Sequence, residues 1–243
     1  MVELTVGIPC YADNSQSLDF LKQCLESVSS QANENVQILI VDDGSPLHDE
    51  VENIAKVLGA EYHYIPKNNG IGWCRNEIIR RCNTRKLFFL SADDLLMPGA
   101  VDVLLKHGTK DGEFYFFNFN IHDGINTFQS NIPQFASEED FVFSVIREAK
   151  RGLMFLNYNC LGTVTTWKDN LFWEDKRYGE DLYHLLECLL IKKVKFTHVP
   201  NTVMIVRMHE NSWTSRLGLN EKIASNNKDT FKRINEKLGA EIL

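Results

Sequence analysis

Short apolar runs along this chain alternate with longer stretches whose apolar positions recur at helical spacing. Leu4-Thr5-Val6-Gly7-Ile8 predicts a strand over 3–9. Leu18, Leu21, Leu25 and Val28 predict a helix over 16–31. The run Val36 to Val41 predicts a strand over 36–41, and Val51, Ile54, Ala55 and Leu58 share one face of a helix over 47–58. A short strand over 61–65 precedes a helix over 71–82. A strand over 86–91 precedes a helix over 97–107, with Pro98 suited to its first turn. Uninterrupted apolar runs of this kind read as strands buried on both faces, as in parallel sheets. Repeated βα units imply right-handed crossovers in one such sheet.

Beyond residue 107 the rhythm breaks. Phe114-Tyr115-Phe116-Phe117-Asn118-Phe119-Asn120 is a strand followed by a polar, turn-rich stretch. A helix is predicted over 137–150, with Ser137 as its cap and Glu138, Glu139 and Asp140 in its first turn. Strands over 160–167 and 194–206 flank a helix over 180–192, striped by Leu182, Leu185, Leu186 and Leu189. A polar amphipathic helix covers 220–238. No repeat, low-complexity tract or linker divides the chain. The expectation is one α/β domain over 1–243, with one ligand held by about 1–107 and another by about 108–243.

Composition narrows the function. With 243 residues, 44 % of them hydrophobic, the chain can bury a substantial core. A formal net charge of −7 argues against a general nucleic-acid binder, because no basic surplus exists to neutralise phosphates. A local basic pocket remains open. No basic segment of the signal-peptide kind precedes the first strand. No apolar run approaches the roughly 20 residues that span a bilayer. A soluble, cytoplasmic protein is expected, with peripheral membrane contact left open. Cys10, Cys24, Cys74, Cys82, Cys160 and Cys188 form no C-x-x-C pair, which reads as buried, reduced thiols and not as a zinc site.

The candidate chemistry sits at strand ends. Asp42-Asp43-Gly44-Ser45 closes the second strand and Ser91-Ala92-Asp93-Asp94 closes the fourth. Strands of a parallel sheet share one carboxyl edge, where open α/β sheets bind ligands. Two acid pairs gathered there repel each other unless a cation intervenes, and a divalent metal carrying a phosphorylated ligand meets that need. The first tetrapeptide also reads as a βα turn with Asp43 or Ser45 as a helix cap. Asp93-Asp94 fits a cap less well, since a cap needs only one carboxylate.

Three further segments allow two readings each. Lys67 to Asn76 holds a Gly-x-Gly but completes neither a dinucleotide fingerprint nor a P-loop. Its Lys67 and Arg75 either serve a base or diphosphate or lie solvated at the surface. Glu180-Asp181 opens a helix, either complementing its dipole or holding a general base at the cleft. His209, in Arg207 to Ser212, is either a metal or phosphate contact or a surface-loop residue.

Taken in order, these pieces resemble the family 2 glycosyltransferases of the GT-A fold. The match runs through Val6-Gly7-Ile8-Pro9-Cys10-Tyr11, Asp42-Asp43-Gly44-Ser45, Asn69-Gly70 with Arg75-Asn76, Ser91-Ala92-Asp93-Asp94, Glu180-Asp181 and Arg207 to Ser212. The resemblance implies a Rossmann-like, mostly parallel sheet, an acceptor-binding second half and a C-terminal helix. It implies an inverting glycosyltransferase that uses a nucleotide-diphospho-sugar, a UDP-sugar first, with Mn²⁺ or Mg²⁺. Asp43 then looks like the reader of the base, beside Pro9 and Tyr11. Asp42, Asn69, Arg75, Ser91 and Asp94 fall in the donor site. Asp93 and His209 look like metal contacts, and Asp181 like the catalytic base, with Glu180 as its partner. Ser91 departs from the family's D-x-D, whose first Asp it replaces with an uncharged hydroxyl; Asp94 stands beside it to compensate.

The acceptor is left open as a sugar, glycan, lipid-linked or other hydroxyl. Tyr158, Trp167, Phe172, Trp173 and Tyr178 either stack on a sugar or fill the core. Two rival readings remain. A nucleotide-sugar-binding protein without transfer activity is motivated by Ser91. A nucleotidyltransferase wants a glycine-rich basic loop where this chain has Pro9-Cys10-Tyr11-Ala12-Asp13-Asn14.

Overall fold

The computed structural model describes residues 2–130, 132, 134–150, 160–174, 179–210 and 221–239, the last segment with side chains from residue 227 onward. Strands β1 (Leu4–Cys10), β2 (Val36–Asp43), β3 (Glu61–Ile65) and β4 (Lys86–Phe89) lie parallel in the order β3-β2-β1-β4. Helices α1 (Ser15–Ser29), α2 (His48–Val57) and α3 (Ile71–Arg81) connect them. The chain then forms β5 (Leu95–Leu96), α4 (Ala100–Lys106), β6 (Glu113–His122), β7 (Thr127–Gln129) and α5 (Glu138–Lys150). After these come β8 (Leu161–Thr163), α6 (Val164–Asp169), α7 (Glu180–Leu186), a π-helical turn Glu187–Ile191, β9 (Lys195–Arg207) and α8 (Glu221–Leu238).

Parallel pairing joins the long strands, including β6 with β9. Antiparallel pairing is confined to the short strands β5, β7 and β8. β8 lies between β4 and β6 and runs against both, so β6 and β9 point the same way as β4. That double reversal brings the end of β9 to the edge where β1, β2 and β4 end.

The sheet separates two cores, and β4 shows why its apolar run has no gaps. Leu87 and Phe89 face the side of α3, α6 and α7, whereas Phe88 and Leu90 face the side of α1 and α4. α1 buries Leu21, Cys24, Leu25 and Val28, as its spacing predicts. Ser137 caps α5 by accepting the Asp140 N–H at 3.1 Å. All six cysteines are buried free thiols. Trp167 and Phe172 are core residues, at 0 % and 3 % exposure. Tyr158 and Tyr178 lie outside the described residues.

Four expectations shift. The strand predicted over 160–167 stops at Thr163, whose hydroxyl caps α6 by accepting the Thr166 N–H at 3.1 Å. Gly162 makes that turn fit, since a Cβ there would sit 2.7 Å from the Phe114 ring. α4 begins at Ala100, after Gly99 in the left-handed region, so Pro98 precedes the helix. β4 ends at Phe89, and residues 91–94 close a turn through the Asp94 N–H to the Ser91 carbonyl at 3.0 Å. The helix predicted over 180–192 is α-helical only to Leu186 and widens to the π form beyond it.

Lys86 carries a role its place in an apolar run conceals. It is fully buried. Its Nζ donates to the carbonyls of Leu105 at 2.6 Å and His107 at 3.1 Å, at the end of α4, and pairs with Glu3 at 2.9 Å. An ammonium there complements the helix dipole and satisfies terminal carbonyls. Lys86→Met keeps the stem and strips these partners, so it should lower stability by about 2–3 kcal/mol. Urea unfolding with an unchanged m-value checks this; an unchanged midpoint would refute it.

Candidate active site

The end of β2 is built from two acids with different duties. Asp42 is fully buried; its Oδ1 accepts the Ser45 N–H at 2.8 Å and its Oδ2 accepts the Tyr62 hydroxyl at 2.8 Å. Ser45 Oγ in turn accepts the Ala12 N–H at 2.8 Å, tying the segment after β1 to this turn. Asp42, expected in the donor site, is therefore committed to the scaffold. Asp43 accepts the N–H groups of Asn69 at 2.9 Å and Gly70 at 2.7 Å. Burial pushes its carboxyl up, against those two hydrogen bonds, which pull it down. Gly44 is required here: its φ is +79°, and a Cβ would lie 2.8 Å from the Asn68 nitrogen. Pro9 is buried beside this turn and Tyr11 is 45 % exposed.

The end of β4 repeats the division. Asp94 is 3 % exposed and its Oδ1 accepts the Arg207 N–H at 3.0 Å. Burial and the neighbouring Asp93 charge push the Asp94 carboxyl well up. Asp94 thus turns inward to hold β9. Asp93 keeps its side chain 38 % exposed, with its Oδ2 3.1 Å from His209 Nε2. The sequence reading brought these two together, and the structure does as well.

Arg207, whose part sequence reasoning left unspecified, fixes this corner. Its Nε donates to the Asp93 carbonyl, its Nη1 to Gln23 Oε1 at 2.7 Å and its Nη2 to the Phe20 carbonyl at 2.9 Å. Its guanidinium lies 4.4 Å from the Phe20 ring centre, and the His209 ring lies 4.6 Å from the same ring. Phe20 was missed because it falls off the apolar stripe of α1; that lone off-stripe aromatic was the available signal. Asn211 and Ser212 lie outside the described residues.

Asp93 and His209 fit a divalent cation. His209 Nδ1 is buried with no hydrogen-bond partner among the described residues. One open carboxylate and one imidazole make a partial ligand set. Among the described residues no group of three or more His, Cys, Asp or Glu side chains gathers at one point. Two protein ligands suit an ion that completes its shell from phosphate oxygens and water.

α7 opens after Gly179, whose φ is +71°. Asp181 is half-buried and its Oδ1 accepts the Leu182 N–H at 2.7 Å. Glu180 is buried and pairs with Arg75 Nη1 at 3.0 Å. Arg75, expected near base or phosphates, thus meets the first residue of α7. Asn76 grips the segment before that helix, accepting the Phe172 N–H at 2.8 Å and donating to its carbonyl at 2.9 Å. No helix among the described residues is long and apolar enough to cross a membrane.

Comparison with known proteins adds the following. An uncharacterized glycosyltransferase of Rickettsia felis is 26 % identical over 182 residues, covering 74 % of this chain and 29 % of that protein. The chondroitin synthase of Escherichia coli is 29 % identical over 115 residues, covering 44 % of this chain and 16 % of that protein. The chain spans less than a third of the length of the Rickettsia felis, Rickettsia conorii and Rickettsia bellii relatives it matches. Among solved structures, S. aureus TarS 1–349 in complex with UDP-GlcNAc superposes with a TM-score of 0.69 at 14 % identity. That match covers 99 % of this chain and 68 % of TarS 1–349 and shows a shared fold. The family model described as glycosyl transferase family 2 matches residues 5–166, well over half of the chain and both strand-end acid pairs, so the chain belongs to the family 2 glycosyltransferases.

Proposed function

We propose that this chain transfers a sugar from a UDP-sugar to an acceptor hydroxyl with inversion, assisted by Mn²⁺ or Mg²⁺ at Asp93 and His209. The observation that carries the reading is Asp93. Of the four acids at the ends of β2 and β4 it alone keeps its carboxylate open to solvent, and His209 stands 3.1 Å away. The family match supports glycosyl transfer. The UDP-GlcNAc complex of TarS, a protein of the same fold, supports the donor class.

When bound, the cation would act as a Lewis acid on the diphosphate, where charge builds as the sugar bond breaks. Asp43, beside Pro9, Tyr11 and Asn69, would face the base. Ser91 would offer its hydroxyl to the ribose or to a water. Asp181 would take the proton from the acceptor hydroxyl as that oxygen attacks the far face of the anomeric carbon. One displacement inverts the stereocentre, and the sugar passes through an oxocarbenium-like peak. Residues 1–107 would hold the donor and 108–243 the acceptor, within one domain.

Three outcomes test this reading. Asp93→Asn should weaken UDP binding in Mn²⁺ at least about tenfold, roughly 1.4 kcal/mol. Calorimetry in EDTA should show no change, and equal affinity in Mn²⁺ would remove Asp93 from the metal site. Asp43→Asn should weaken UDP binding with and without metal, roughly 1.5–3 kcal/mol for a lost charged hydrogen bond. An unchanged dissociation constant in the folded variant refutes the base contact. Asp181→Asn should leave UDP affinity intact and lower transfer about 10²–10⁴-fold. Normal transfer by that variant would show that Asp181 is not the base; donor binding with no transfer by the unaltered protein would favour the binding-only reading.

A further inference from the structure

Arg75 and Glu180 stand 105 positions apart, one in α3 and one opening α7. Their side chains meet at 3.0 Å and each is only 7 % exposed. The Arg75 guanidinium lies 5.1 Å from the Phe172 ring centre and 6.0 Å from that of Phe89. Its Nε is buried without a partner among the described residues. This cation is wrapped in protein and does not line the open edge where Asp93 lies.

The surroundings are shaped for the contact. A Cβ at Gly72 would sit 2.8 Å from the Trp173 carbonyl oxygen and 3.3 Å from Glu180 Cγ, so only glycine allows this approach. Asn76 clamps the backbone at Phe172 through two hydrogen bonds, of 2.8 and 2.9 Å. α3, which leaves the donor side, therefore grips both the segment before α7 and the first residue of α7. On the opposite flank, Arg233 of α8 lies 3.8 Å from the Trp173 ring centre and Lys237 pairs with Glu187. Those contacts hold Trp173 and the far end of α7. The turn that carries Asp181 is held by Arg75.

A buried ion pair adds little net stability over an apolar pair, because both charges lose water. What it specifies is geometry. We infer that Arg75 and Glu180 act as one strut that positions Asp181 against the donor, and that Arg75 makes no contact with the donor itself. The inference rests on Asp181 being the base. A base displaced by about 1 Å costs on the order of 100-fold in rate. Glu180 and Arg75 are then positioning residues.

A double-mutant cycle on the full chain decides it, using Arg75→Met, Glu180→Gln and the pair together. UDP and UDP-GlcNAc with Mn²⁺ are the probes. Calorimetry reads UDP affinity, UDP release reads turnover, and hydrogen exchange reads the amides of 181–186. Each single variant should lower turnover roughly 10–100-fold, leave UDP affinity within about threefold and speed exchange of those amides at least about tenfold. The double variant should be no worse than the worse single. Should Arg75→Met fail to fold with the Glu180 charge stranded, the double variant, which buries no charge, and Arg75→Lys replace it.

A loss of UDP affinity of about tenfold or more on changing Arg75 makes it a donor-site cation and overturns the strut. Additive effects, or unchanged exchange in both singles, overturn it too. If Glu180→Gln is inactive while Asp181→Asn turns over at close to the unaltered rate, Glu180 is the base and the strut is wrong. Absent UDP release by the unaltered protein sinks the transfer reading alone; coupled exchange with unchanged UDP affinity still upholds the strut, and uncoupled exchange still rejects it.

Discussion

The site depends on carboxylates that end buried strands and accept backbone N–H groups from other segments. Asp42 holds the turn to Ser45, Asp43 holds Asn69 and Gly70, and Asp94 holds the last residue of β9 through the Arg207 N–H. A buried carboxylate that loses its donors keeps a large desolvation cost, so each of these bonds is enforced by burial. Three loops that are far apart in sequence are fixed to one sheet edge this way. Asp93 is open because Asp94 beside it takes the structural duty. The acid pairs are therefore divisions of labour, with one member facing inward and, at β4, one open to solvent.

That division also marks what was legible in the sequence. The alternation of strands and helices through residue 107 was readable because buried parallel strands leave uninterrupted apolar runs, and Leu87 to Leu90 show both faces filled. The acid pairs were readable as a site because adjacent carboxylates after an apolar run are costly without a partner. Which acid of each pair faces inward was not readable. Adjacent residues differ there only in the direction a turn imposes, and the turn is set by Gly44, Tyr62 and the distant Arg207. The partner of Arg75 was not readable for the same reason. Its charge suggested phosphate, but its partner Glu180 lies across the chain, and no local pattern announces a contact over such a separation. β8 was overextended because a β-branched run, Thr163-Val164-Thr165-Thr166, favours a strand until the Thr163 hydroxyl caps a helix.

The second half is joined to the first by polar contacts set into aromatic surroundings. Arg75 over Phe172 and Arg207 over Phe20 each place a planar cation on a ring across the two halves, and Arg233 over Trp173 does so within the second. Arginine suits this use because the guanidinium is weakly hydrated and offers donors in its plane while its face packs. The π-helical turn after α7 belongs to the same scheme. It lets Glu187 meet both the Tyr183 hydroxyl at 3.3 Å and Lys237, linking α7 to α8. α7 is thus gripped by α3 at its first turn and by α8 just past its last residue.

Ser91 now has a consistent place. A third carboxylate at the end of β4 would stand beside Asp93 and Asp94 and add repulsion that Arg207 alone, already sharing its donors among Asp93, Gln23 and Phe20, would have to offset. With a hydroxyl instead, the corner keeps a single open carboxylate and one imidazole. Such a set suits an ion that arrives with phosphate oxygens in its shell better than an ion held by protein ligands alone. The charge that stabilises the cation would then come from the diphosphate, so loading of metal and of donor would be coupled through the ligand itself. At the end of β4 the fold supplies one carboxylate and holds it open, while Asp42 and Asp94 are closed into the scaffold.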